Sequence, residues 1–194
     1  MNVHLNTPPV RVAILGANGL VGQTFAALLE GHPKFRVFRL FGSERRRPEP
    51  YRTSVRWTVP LPFPHSIGDL PLEPYAPERM ADGSVDLVFS ALPSVAAGPL
   101  EEGLAQAGFP VFSNAGAHRM GGDVPILIPD VNPHHLEWVH RQNRPGQGCI
   151  VTNANCSTTG LVSALAPLRP LGLRRIVVTT FQSVSGAGLN GVSH

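Results

Sequence analysis

Residues 10–33, VRVAILGANGLVGQTFAALLEGHP, leave the chain little choice of fold. Val10 to Leu15 is a short apolar run, the pattern of a parallel strand buried on both faces. Gly16, Gly19 and Gly22 follow at a spacing of three. Residues 20–31 then show helical apolar spacing, and Gly31 and Pro33 stop the helix. FRVFRLF, residues 35–41, reads as a second strand. Strand, glycine turn, helix and strand make a βαβ unit, the context in which a G-x-x-G-x-x-G run carries meaning. Gly16 permits a tight turn, Gly19 lets the backbone approach a pyrophosphate, and Gly22 lets helix pack closely on strand. The first helical N–H groups and the positive dipole end favour phosphate. Gly16, Asn18, Gly19, Leu20, Val21 and Gly22 are therefore the expected cofactor-binding turn.

The same alternation continues. Residues 45–84 are proline-rich, with a third strand expected near Val55–Val59. Residues 84–94 read as a strand ending in a turn at Pro93, 99–108 as a helix, and 109–116 as strand then loop. Residues 123–136 are extended and then irregular. Residues 148–156 form a strand and turn, and 156–168 a helix ended by Pro170. Residues 173–188 read as a β-branched strand running into a small-residue loop. Alternating strands and helices imply an α/β fold, a Rossmann-like doubly wound parallel sheet that binds ligands outside the carboxyl ends of its strands.

The end of the second strand discriminates between cofactors. NAD sites place an acid there for the ribose diol, and NADP sites place cations for the 2′-phosphate. The text is FGSERRR. Glu44 could serve the diol. Ser43 with Arg45 and Arg46 could grip a phosphate, arginine being able to do so bidentately. The cations favour NADP.

Other classes are excluded on composition. Apolar residues make up 42% and charged residues 15%, enough for a globular core. No apolar run approaches the ~18–20 residues that span a bilayer, and the N-terminus lacks the pattern of a secretory signal. A cytoplasmic protein with no membrane partner is expected. Net charge is +3, and the one dense basic cluster, Arg45–Arg47, lacks interleaved aromatics, so no nucleic-acid partner is expected. His135 and His140 lie five apart and do not share a helix face. With only Cys149 and Cys156, seven apart, no metal site is expected.

TNANCSTTG, residues 152–160, asks whether Cys156 is filler or nucleophile. It falls at a strand-to-helix turn, so its sulfur would lie near a helix N-terminus, where an anion is stabilised. Asn153 and Asn155 flank it with amides able to donate to an oxyanion. TNANCSTTG and FQSVSGAG together resemble the aspartate-semialdehyde dehydrogenase family. FSNAGAHRM, DVPILIPDVNPHHL and YRTSVRW are similar to its archaeal and fungal branch. Acetylglutamyl-phosphate reductases usually read P-G-C at the cysteine, where this chain reads A-N-C. Malonyl-CoA reductases of the same branch share these blocks. Short-chain reductases need Tyr-x-x-x-Lys, and Lys34, the only lysine, has no tyrosine four before it.

The resemblance implies NADP-dependent reductive dephosphorylation of 4-phospho-L-aspartate to L-aspartate 4-semialdehyde through a thioester on Cys156. That reaction serves lysine, threonine and methionine biosynthesis. By the match, Gln182 positions the substrate and Arg119 binds phosphate. Asn114 lines the active-site face, and Ser185, Gly186 and Gly188 approach the nicotinamide half of NADP. Residues 1–155 would be the NADP-binding domain, and 156–194 the opening of an α+β catalytic domain through which the family forms homo-oligomers. The family's histidine base, substrate-carboxylate arginine and lysine-bearing phosphate segment lie beyond the block ending at 188. The expectation is therefore a truncated chain, nearly inactive alone, since a missing general base costs about 10²–10⁴-fold. A non-catalytic NADP-binding protein is the alternative.

Overall fold

A computed structural model describes residues 8–42, 47–80, 82–142 and 145–182. The chain forms two compact units, Met1–Ala91 and Leu92–His194.

The first unit is built on β1 (Val10–Leu15), α1 (Leu20–Leu28), β2 (Phe35–Gly42), β3 (Glu49–Pro50), α2 (Tyr51–Ser54), β4 (Pro71–Pro74) and β5 (Leu87–Ser90). Its strands run in the order β3-β4-β2-β1-β5. β1 is central, parallel to β2 from Val10 opposite Phe35 and to β5 from Val12 opposite Leu87. This explains its unbroken apolar text: Val12, Ala13, Ile14 and Leu15 are all buried, so neither face tolerates a polar residue. β2 pairs with β4 in parallel, whereas β3 pairs with β4 antiparallel. The expected all-parallel sheet thus has an antiparallel edge. The chain leaves β1 towards β2 on one side and returns through β5 on the other, which puts a switch point at the carboxyl end of β1. Val12, Ile14, Val37, Leu40 and Leu72 of the strands pack with Ala26 of α1 and Tyr51 of α2 in one core.

Two expectations fail in instructive ways. No strand forms at Val55–Val59. The Arg56 carbonyl and Thr58 N–H are taken by the side-chain amide of Gln23, which removes them from any ladder. Residues 173–182 form no strand either. Val177 is 81% and Phe181 97% exposed there, and β-branched text alone does not make a strand without a neighbour to pair with.

The second unit carries α3 (Ser94–Gln106), β6 (Val111–Ser113), β7 (Ile126–Leu127), α4 (Val139–Gln142), β8 (Ile150–Asn153) and α5 (Cys156–Leu165), with a 3₁₀ segment over Ala166–Leu171. β6 and β7 flank β8, both parallel to it. α3 starts five residues before the expected Pro99 and takes that proline into its interior. Its buried stripe of Ala97, Glu101 and Leu104, spaced by four and three, fixes it in place. The Asn132 amide holds β7, accepting from Ile128 N and donating to Ile126 O. His135 stacks on Trp138 with ring centroids 5.0 Å apart. Among the described residues no His, Cys, Asp and Glu group could hold a metal ion. No described helix is long and apolar enough to cross a membrane.

The packing separates glycines that must be glycine from those that need not be. A Cβ on Gly22 would lie 2.2 Å from the Gly16 carbonyl oxygen, whereas one on Gly103, on the exposed side of α3, meets nothing within 4 Å. Gly22→Ala should lose about 1–3 kcal/mol in urea unfolding. Gly103→Ala should gain up to about 1 kcal/mol.

Candidate active site

In the first unit the glycine turn is held by backbone and by two side chains from elsewhere. Gly16 has φ of 71°, which its lack of a Cβ allows. Ala17 N donates to Phe41 O of β2 at 3.0 Å, and Gly19 N donates to Gly16 O at 3.0 Å. The Tyr51 hydroxyl, fully buried, donates to Ala17 O at 2.8 Å, and burial holds its proton far above the ordinary phenol range. Gln23, also fully buried, uses every hydrogen-bonding position of its amide. Nε2 donates to Asn18 O and Arg56 O, and Oε1 accepts from Thr58 N and Thr58 Oγ1. These bonds tie the turn to the segment after α2.

Sequence reasoning missed both Gln23 and Tyr51. The available signal was a lone glutamine beside Gly22 and Ala26 on the buried face of α1.

The N-terminus of α1 is arranged for an anion. Its N-cap is Gly19, which brings no side-chain oxygen to the first-turn N–H groups. Leu20, Val21 and Gly22 supply that turn, and Asn18 extends towards the end of β2, its Oδ1 3.5 Å from where a Gly42 Cβ would stand. Open N–H groups beside Cβ-free backbone fit a dinucleotide pyrophosphate. Ser43, Arg45 and Arg46, like Ser185, Gly186 and Gly188, lie outside the described residues.

In the second unit the expected residues gather at the carboxyl ends of β6 and β8. Cys156 is the first residue of α5 and is exposed. Asn155 is the N-cap, its Oδ1 accepting from Ser157 N at 3.0 Å and Thr158 N at 3.4 Å. α5 is therefore capped by a side chain where α1 is not. The cap occupies the oxygen of Asn155 and leaves Nδ2 as the donor. The other expected oxyanion donor, Asn153, instead directs its Nδ2 to Asn114 Oδ1.

Arg119 closes this group. Nε donates to Asn153 O and Nη2 to Asn114 O, both at 2.9 Å. The guanidinium is thus a strut between the ends of β6 and β8, with Nε and Nη2 as its donors among the described residues. Gln182 Nε2 donates to Ser157 Oγ at 2.8 Å, and that hydroxyl lies 4.0 Å from Cys156 Sγ. Ser157 was not anticipated; its position next to the cysteine was the only signal.

The two thiols should react differently. Cys156 is exposed, whereas Cys149 is partly buried and burial pushes its thiol up, which lowers its thiolate fraction at any given pH. Iodoacetamide at pH 8 should label Cys156 first by peptide mass spectrometry, with the Cys149 rate profile displaced to higher pH.

Residues 11–139 match the family described as semialdehyde dehydrogenase, NAD binding domain. The chain is 46% identical over 183 residues to an aspartate-semialdehyde dehydrogenase of Archaeoglobus fulgidus, covering 93% of this chain and 52% of that protein. It is 38% identical over 187 residues to a malonyl-CoA reductase (NADP) of Metallosphaera sedula, covering 95% and 52%. Its fold is similar to the crystal structure of aspartate semialdehyde dehydrogenase with NADP from Candida albicans. There the TM-score is 0.77 at 34% identity, covering 84% of this chain and 48% of that one. An aspartate semialdehyde dehydrogenase II of Vibrio cholerae gives a TM-score of 0.74 at 28% identity, covering 96% and 50%. The chain spans about half the length of the curated relatives it matches. With its glycine turn, switch point and matched residues 11–139, the chain belongs to the semialdehyde dehydrogenase NAD-binding-domain family.

Proposed function

We propose that this chain supplies the cofactor-binding and nucleophile-bearing part of an NADP-dependent aspartate-semialdehyde dehydrogenase. On this reading it converts 4-phospho-L-aspartate to L-aspartate 4-semialdehyde for lysine, threonine and methionine synthesis. The observation that carries the proposal is the grouping at α5: an exposed Cys156 beside the Ser157–Gln182 hydrogen bond. The Arg119 strut joining Asn114 and Asn153 belongs to the same unit.

The glycine turn of the first unit would hold the pyrophosphate, and Ser43, Arg45 and Arg46 would grip the 2′-phosphate. Ser185, Gly186 and Gly188 would meet the nicotinamide half. When bound, NADPH supplies a hydride. Cys156 Sγ attacks the acyl-phosphate carbon, the carbon–oxygen bond to phosphate breaks, and the acyl group stays on sulfur as a thioester. Arg119 Nη1 balances charge on the departing phosphate. Asn155 Nδ2 donates to the oxygen that gains charge during attack, and Gln182, held by Ser157, orients the substrate. Residues 1–155 serve as the cofactor domain and 156–194 open the catalytic domain of a homo-oligomer in the cytoplasm.

A second reading, malonyl-CoA reduction through the same cysteine, is favoured by the Metallosphaera sedula relative. The two are separated by assaying the protein as its own cell makes it. Phosphate-dependent NADP reduction with aspartate semialdehyde is expected, and NADPH oxidation with malonyl-CoA alone would overturn the first reading in favour of the second. Cys156→Ala should lower kcat by about 10³-fold or more. It should leave the NADP dissociation constant unchanged, and NADP should bind more tightly than NAD.

A further inference from the structure

Beneath the loop that carries Asn114 and Arg119 sits a buried acid that the proposed chemistry does not use. Glu101 of α3 is 0% exposed. Its Oε1 accepts from Ser113 Oγ at 2.7 Å, and the same Ser113 oxygen accepts from Ala115 N at 3.0 Å. Its Oε2 stands 3.5 Å from His118 Nε2, an ion pair when the imidazole carries its proton, and among the described residues neither atom has a hydrogen-bond partner. The imidazole is itself largely buried, and its Nδ1 is 3.8 Å from Glu102 Oε1. A carboxylate in such a place needs a paired, charged or donating neighbour. Among the described ion pairs only His118 reaches it.

The arrangement has a regular logic. One carboxylate faces both ends of a short loop: Ser113 hydrogen-bonds it at the start, His118 stands within ion-pair range near the finish, and Gly116 N donates to Ser94 Oγ between them. Each anchor immediately precedes a residue of the candidate site: Asn114 follows Ser113, and Arg119 follows His118. Arg119 must keep two bonds to backbone carbonyls, on Asn114 and Asn153, for its Nη1 to have a fixed direction. A loop pinned at one end only would let the guanidinium swing.

We propose that Glu101 and His118 are positioning residues for the Arg119 anion grip, acting through the loop 113–119. Neither touches substrate. The kinetic part of the test rests on the dehydrogenase reading above; the spectroscopic part does not.

The variants are His118→Phe, which fills the space without an N–H, His118→Gln, which brings an N–H able to donate to Glu101, and Glu101→Gln, which keeps an acceptor for Ser113. In the wild-type protein the Arg119 Nε–H, bonded to Asn153 O, should give a slowly exchanging ¹⁵N signal. That signal should be lost in His118→Phe and retained in His118→Gln at matched melting temperatures. In phosphate-dependent turnover, KM for inorganic phosphate should rise about 10–100-fold in His118→Phe, with KM for NADP unchanged and His118→Gln restoring it. Glu101→Gln combined with His118→Phe should add little to His118→Phe alone. Retention of the Arg119 signal in His118→Phe, or a phosphate KM within twofold of wild type, would overturn the inference. If the protein as its own cell makes it shows no phosphate-dependent turnover, the dehydrogenase reading fails while the Arg119 signal still decides this one.

Discussion

The first unit depends on a contact between two stretches of backbone. α1 approaches the end of β1 so closely at Gly22 that even a methyl group would overlap the Gly16 carbonyl. That approach sets where the helix starts and brings Gln23 and Ala26 onto the core. It also gives the first-turn N–H groups their direction over the switch point. The buried Gln23 amide and Tyr51 hydroxyl then make the arrangement unique by giving the Ala17, Asn18 and Arg56 carbonyls their partners.

The second unit solves a related problem by different means. Where the first unit orients its turn with a glutamine and a tyrosine beneath it, the second spans two strand ends with one arginine. A guanidinium has five N–H donors in a rigid fork, so it can brace two carbonyls and keep donors for a ligand. On the proposed reading, structural and chemical roles share that side chain. Lysine at position 119 would be a poor substitute even with its charge intact, because it has no planar fork to reach Asn153 and Asn114 together.

How legible each feature was in the sequence follows from how local it is. The glycine turn and the place of Cys156 at a helix start are fixed by residues a few positions apart and could be placed from the text, whereas Asn155, expected as an amide donor, caps α5 through its oxygen. The Gln23 amide and the Arg119 strut work through carbonyls more than thirty residues away, and backbone acceptors leave no mark in a sequence. The expected strand at 55–59 failed for the same reason, since its polar groups answer a side chain on α1. The extended text at 173–182 was read from composition, and composition cannot supply a pairing partner. Ser43, Arg45, Arg46 and the 185–188 block fall outside the described residues, so the first three rest on their place after the second strand and the block on the resemblance.

The two helix N-termini finish differently. α5 carries its own asparagine cap, whereas α1 begins at a glycine and forgoes a contribution of roughly a few tenths of a kcal/mol. A helix without a side-chain cap would be completed by an anion bound at its N-terminus. Cofactor binding and the folding equilibrium of the first unit are then thermodynamically linked. Saturation with dinucleotide would raise the melting point and slow amide exchange along α1, and depletion would make the same helix the first part of the unit to fray.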